Sequence, residues 1–135
     1  MGPVWCGPTV DDRASTGTLG QYATSHKGIC TGDTARFVRE FWQVPRGADG
    51  WSRLRTSVTT TTLYGGCENA LFWEDGQGQF VNFVDERLGG NTGAWIRGGH
   101  AWGRRGVAIA RMSGLPSTLY LVFCLRSSDP IEVAA

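Results

Sequence analysis

The stretch Gly89-Gly90-Asn91-Thr92-Gly93-Ala94-Trp95-Ile96-Arg97-Gly98-Gly99-His100-Ala101-Trp102-Gly103-Arg104-Arg105-Gly106-Val107-Ala108-Ile109-Ala110-Arg111 decides how the chain is read. Glycine at this density lets the backbone turn sharply or lie close to a ligand, and it argues against a long helix. Arginine adds a planar fork that suits phosphate oxygens and the edge of guanine. No acidic residue interrupts the stretch. Two readings follow. In one the loop is a presented surface; in the other its Trp residues are buried and its Arg residues are merely solvated.

Working outward, Phe80, Val81, Phe83, Val84 and Leu88 recur at helical spacing just before the stretch, and Gly89-Gly90 supplies a stop. Strands are expected over Ala94–Arg97, Gly106–Met112 and Thr118–Leu125. The last is apolar on both faces, which predicts a central position. Farther upstream, Phe37–Val44 alternates and predicts a strand, Pro45–Gly50 a loop, Ser57–Tyr64 an extended Thr-rich segment, and Ala70–Trp73 a short strand. Asp75-Gly76-Gln77-Gly78 signals a turn. Thr18–Ala23 suits a helical turn capped by Thr16 or Thr18, and Lys27–Asp33 a turn-rich loop. Residues 1–17 read as an irregular arm or a remnant of something upstream, 18–126 as the domain, and 127–135 as a C-terminal tail.

With 135 residues, twenty of them glycine, the chain fits one domain with about twice the usual glycine share. Short strands and turns are favoured, so the expected fold class is α+β: a compact, β-rich single domain with a mixed sheet and one or two short helices. No run approaches the ~20 apolar residues of a membrane span. The start of the chain has neither the basic nor the apolar part of a signal peptide. Cys6, Cys30, Cys67 and Cys124 are scattered, without the close pairs of a zinc site. They read as buried free thiols in a reducing compartment, and the expected location is cytoplasmic.

Net charge is only +1, but its distribution is uneven. Glu68, Glu74, Asp75, Asp85 and Glu86 lie together with no cation among them. Arg87, Arg97, Arg104, Arg105, Arg111 and Arg126 follow with no carboxylate between, and Lys27–Arg55 is also rich in cations. A neutral protein can still carry a cationic face for a polyanion. The alternative is that the acidic segment lies across the basic ones as internal ion pairs.

Catalytic signatures are missing. There is no Gly-x-Ser-x-Gly elbow, no phosphate loop and no His-Glu-x-x-His pair. A Cys–His pair cannot be placed by spacing. Asp33 suits either a turn or a base contact. Trp42, Trp73, Trp95 and Trp102 suit either stacking on bases or filling the core, the core role being the commoner for any one Trp.

The segments Thr18–Gln21 and Lys27-Gly28-Ile29-Cys30-Thr31-Gly32-Asp33-Thr34-Ala35-Arg36-Phe37-Val38-Arg39-Glu40-Phe41-Trp42-Gln43-Val44 resemble the opening of one particular module. That module is the target-recognition domain of BREX-type phage-exclusion adenine methyltransferases and of related single-chain restriction–modification enzymes. Thr34 stands where that family usually has Asn. Tyr64–Trp73 resembles the family's glycine-then-strand block, and Gly93–Gly103 with Ala110-Arg111-Met112 and Leu115-Pro116 resembles its later block, all in the same order. The glycine and strand usual after the proline are replaced by Ser117-Thr118-Leu119.

This resemblance implies a sequence-reading, non-catalytic DNA-binding module, because the methyltransferase cofactor loop and the Asn/Asp-Pro-Pro-Tyr/Phe motif are both missing. No cofactor is implied. The expected partner is double-stranded DNA, with a separate methyltransferase subunit as a further candidate. Candidate DNA-binding residues are Arg97, His100, Arg104 and Arg105 on glycine-flanked turns, followed by Arg39 and Arg111 on strands, Arg39 also suiting a structural ion pair. The alternative is a protein-interaction or decoy module of a mobile element that docks on a methyltransferase or a phage protein. The chain suits a free-standing gene, a mobile cassette or an excised fragment.

Overall fold

The computed structural model describes residues 17–111, 114–121, 125–126 and 130–134. Eight short strands form two four-stranded sheets around two helical segments. The strands are β1 (Ala23–Lys27), β2 (Val38–Glu40), β3 (Trp51–Arg55), β4 (Asn69–Phe72), β5 (Gly106–Ile109), β6 (Ser117–Tyr120), β7 (Leu125–Arg126) and β8 (Pro130–Ala134). The helices are α1 (Thr34–Phe37), a single turn, and α2 (Gln79–Leu88). One sheet runs β1-β8-β5-β6 and is antiparallel throughout; the other runs β2-β4-β3-β7 and is mixed, because β7 lies parallel to β3. The α+β class follows the expectation; in place of one mixed sheet there are two sheets, of which one is mixed.

The main core lies between α2 and the second sheet. Ile29, Phe37, Leu54, Leu71, Phe80 and Val84 form one buried cluster. Phe80 and Val84 sit four residues apart, so the helix turns both toward the sheet. Phe37 meets Phe80 edge-on at 5.3 Å and Phe83 at 5.2 Å. The helix starts where the Gln79 N–H donates to the Glu74 carboxylate at 2.6 Å, and it ends at Gly89, whose N–H reaches the Asp85 carbonyl. The helix inferred from Phe80–Leu88 and its glycine stop is therefore in place. Part of the acidic run serves to start it.

Several local expectations are corrected. Phe37–Val44 is not one strand. Asp33 caps a helical turn, accepting from the Arg36 N–H at 3.1 Å, and only Val38–Glu40 is extended before a 3₁₀ turn at Phe41–Gln43. Phe37 is buried while Phe41 and Trp42 are exposed, so the alternation in sequence does not map onto two sheet faces. Ala94–Arg97 is not a strand either: the Trp95 and Ile96 N–H groups both turn back to the Thr92 carbonyl, at 3.0 and 2.8 Å. Ser57–Tyr64 forms no regular strand; Thr61–Leu63 instead hydrogen-bonds along the outer side of β6.

The strand expected over Thr118–Leu125 is short and lies at an edge of its sheet rather than at the centre. Leu119 and Leu121 are correspondingly exposed. Within the segment expected as a C-terminal tail, Pro130–Ala134 forms β8 and lies between β1 and β5. The N-terminal arm over 1–17 falls, apart from Gly17, outside the described residues, as do Cys6, Met112 and Cys124.

Candidate nucleic-acid interface

Gly89–Arg111 is anchored by its aromatic residues and turns its cations outward. Trp95 and Trp102 are half-buried and pack against the main core, Trp102 meeting Trp73 edge-on at 5.4 Å and Trp95 lying 6.4 Å from Phe83. Between them the backbone holds two 3₁₀ turns, Thr92–Ala94 and Gly99–Ala101. Two close approaches fix the loop to the Lys27–Asp33 segment. Gly98, at φ 73°, leaves no room for a Cβ, which would lie 2.6 Å from the Lys27 carbonyl oxygen. The Cys30 N–H donates to the Trp95 carbonyl at 2.8 Å.

Arg97, His100, Arg104, Arg105 and Arg111 are all exposed. Arg97 donates through Nε to the Gly93 carbonyl at 3.2 Å, which steadies its stem and leaves the outer nitrogens open. The sheet register sets their order in space. Ser25 and Val107 both pair with Glu132, and His26 and Ala108 both pair with Ile131. Lys27 is thus level with Ile109, three residues or about 10 Å along the strand from the level of Gly106. Gly98 touches Lys27, whereas Arg105 enters β5 at Gly106, so the loop strings its cations along the sheet instead of gathering them. Arg111 follows β5 at its Lys27 end.

Arg39 stands apart on β2 of the other sheet. It is exposed, and its Nη1 donates to the Ala35 and Val38 carbonyls at 2.5 and 2.8 Å. Among the described residues it makes no ion pair, but it does fasten α1 to β2, which gives it a structural use. Among the described residues no arginine is paired with a carboxylate. The internal pairing of Glu68–Glu86 with the basic segments is therefore not formed there.

Cations that the sequence reading left unassigned also sort themselves. Arg36 lies over the Phe37 and Phe83 rings, at 4.7 and 5.7 Å from their centroids. Arg55 is 3% exposed, and its guanidinium donates to the Cys67 Sγ, to the Thr118 Oγ1 at 3.3 Å and to the Leu119 carbonyl, tying β3 to β6. Arg46 and Arg53 line an open groove of about 540 Å³ with Phe41, Trp42, Trp51 and Ala70. Trp42 is 58% exposed, unlike Trp73, Trp95 and Trp102. The clue in the sequence was Pro45 three residues on: proline cannot continue a sheet ladder, so the strand had to stop short of it.

Comparison of the chain with known protein families and with curated proteins gives no match. No helix among the described residues is long and apolar enough to cross a membrane.

Proposed function

We propose that this chain is a sequence-reading DNA-binding module of the target-recognition type, itself non-catalytic and acting in the cytoplasm, with Gly89–Arg111 laid along duplex DNA. The observation that supports it is the exposure of Arg97, His100, Arg104, Arg105 and Arg111 on one glycine-turned stretch with no carboxylate paired to them among the described residues. Phosphate contacts from such a line give affinity and register, and one or two side chains that reach base edges give specificity. A bidentate arginine on guanine discriminates by roughly 1–3 kcal/mol. A single module of this size covers about 600–1,000 Å² of DNA, so weak binding alone and support from a separate methyltransferase subunit are expected.

Selection from randomised duplexes tests this. Wild-type protein should enrich a short motif. Arg104→Ala and Arg105→Ala should each either lower affinity for all duplexes alike, the mark of a phosphate contact, or relax one base position, the mark of a reader. Enrichment that neither substitution touches would remove the loop from the interface.

A second reading has its own support. Leu63, Tyr64, Leu115, Leu119 and Leu121 are exposed large apolar side chains, and Leu63 and Leu119 are joined by a backbone hydrogen bond of 3.2 Å. Grouped apolar exposure of this kind marks protein contacts and favours a module that docks on a methyltransferase or a phage protein. Binding to a purified methyltransferase subunit that Leu63→Asp abolishes, with no duplex shifted at low salt, would favour this reading over DNA recognition.

A further inference from the structure

The groove beside Phe41–Gln43 has the chemistry of a nucleotide site, and it lies on a different sheet from the loop assigned to duplex DNA. Its floor is the outer face of the second sheet. Ala70 and Arg53 are in register across β4 and β3, and side chains alternate along a strand. They therefore share the face opposite Leu71 and Leu54, which belong to the core. Ala70 is small, and the floor is correspondingly low. One wall is Phe41 and Trp42, and the loop through Arg46 continues the rim.

This aromatic wall is exposed, yet it is held in place. The Phe41 N–H donates to the Glu68 carbonyl at 2.7 Å, the Val44 N–H closes the turn on the Phe41 carbonyl at 3.3 Å, and the Glu40 N–H donates to the Gln43 side chain at 3.1 Å. Trp42 meets Phe41 edge-on at 5.0 Å, and the Arg53 guanidinium covers the Phe41 ring at 4.2 Å. The Phe41 face is thus already stacked, while the Trp42 indole is left open. Arg53 spends one donor on the Cys67 carbonyl at 3.3 Å. Arg46 has no partner among the described residues. The lining contains two cations and no carboxylate; Glu40 and Asp49, the nearest acids in sequence, are not part of it.

A large π-surface beside two uncompensated guanidinium groups matches a ligand that is flat at one end and anionic at the other. A peptide carboxylate would satisfy the arginines but leave Trp42 uncovered, and duplex DNA offers no free base face to stack on it. We propose that this groove binds an unpaired nucleotide of a nucleic-acid strand, its base stacked on Trp42 and its phosphate held between Arg46 and Arg53. The assignment does not depend on the duplex reading, since it uses none of the residues of Gly89–Arg111.

The test follows tryptophan fluorescence and anisotropy with a short labelled oligothymidylate, its duplex with oligoadenylate, thymidine monophosphate and oligoglutamate. Wild-type protein should bind the single strand with quenching. Trp42→Ala should weaken that binding about five- to 150-fold, the range for loss of one stacked base, and remove most of the quenching. Trp42→Phe should recover much of the affinity. Arg46→Ala should weaken binding and lower its salt slope by ~0.7, as for one phosphate of a single strand. Both substituted residues are exposed, so unchanged unfolding midpoints should accompany these losses.

Arg104→Ala/Arg105→Ala should bind oligothymidylate as wild type does, whatever it does to the duplex, which keeps failure of the duplex reading separate from failure of this one. Single-strand affinity untouched by Trp42→Ala would overturn the proposal. So would equal binding of oligoglutamate, which would mean that charge alone fills the groove. Equal affinity for thymidine monophosphate and the oligonucleotide would make the occupant a free nucleotide, and that also overturns the assignment to a strand.

Discussion

At Arg55 a guanidinium is buried with sulfur, hydroxyl and carbonyl partners and no carboxylate among the described residues. Hydrogen bonds from a charged group inside a protein are among the stronger ones, and removing the donor leaves its acceptors dry and unpaired. Arg55→Ala should therefore lower stability by about 2–4 kcal/mol, read as an earlier urea midpoint with an unchanged slope. Arg104→Ala, on an exposed side chain, should stay within about 0.5 kcal/mol. Equal shifts for the two would show that Arg55 does not hold the sheets together. Arg55 was illegible in the sequence because it closes a run of cations that looks uniformly solvated; only its partners, Cys67 and, more than sixty residues away, Thr118 and Leu119, mark it as internal. Gly98 is the opposite case. Its place between Arg97 and Gly99 announced a turn, and its positive φ and contact with the Lys27 carbonyl give that turn a cost to alter. Gly98→Ala should destabilise by about 1–3 kcal/mol and weaken binding through the loop without removing any cation. Unchanged stability in the same urea titration would mean that the loop is not pinned at this point.

Among the elements, α2 was legible and β8 was not, for a physical reason. A helix carries its signal locally: Phe80 and Val84 repeat at the helical period, and Gly89 stands where the pattern ends. Phe80→Ala should cost about 3–5 kcal/mol, since Phe37 and Trp73 pack on that ring at 5.3 and 6.0 Å and a cavity would remain. A strand carries much of its signal in its neighbours. Ala23–Lys27 is polar and irregular, and Pro130–Ala134 begins with a proline, so neither reads as sheet alone; each becomes a strand because the other pairs with it. The Trp95–Ile96 segment failed in the other direction. It is apolar enough for a strand, but Gly93 and the Gly98-Gly99 pair fold it into turns whose Trp packs half-buried against the core. If β8 holds the first sheet together, a chain ending at Arg126 should lose hydrogen-exchange protection over Ala23–Lys27 while keeping it in α2. Protection of Ala23–Lys27 that survives the truncation would place that sheet's stability elsewhere.

For the molecule as a whole, net charge is near zero, so any attraction to DNA must come from where the charges sit. The acidic run is partly absorbed in starting α2, while the arginines of Gly89–Arg111 stay in solvent. That separation was readable as blocks of charge in the sequence; whether the blocks face each other was not, because it depends on how the two sheets pack. Counterion release turns the arrangement into a number. Each phosphate neutralised contributes about −0.9 to the slope of log K against log salt on duplex DNA, so about four arginines should give a slope near ~−4. Arg104→Ala/Arg105→Ala should bring it close to ~−2, and Arg39→Ala should leave it nearly unchanged if Arg39 serves to fasten α1 to β2. Titrations of one duplex at several salt concentrations measure all three. A wild-type slope near zero would mean that the exposed cations meet no phosphates. A slope that Arg39→Ala lowers as much as the double substitution would instead move the interface onto the second sheet, beside the Trp42 groove.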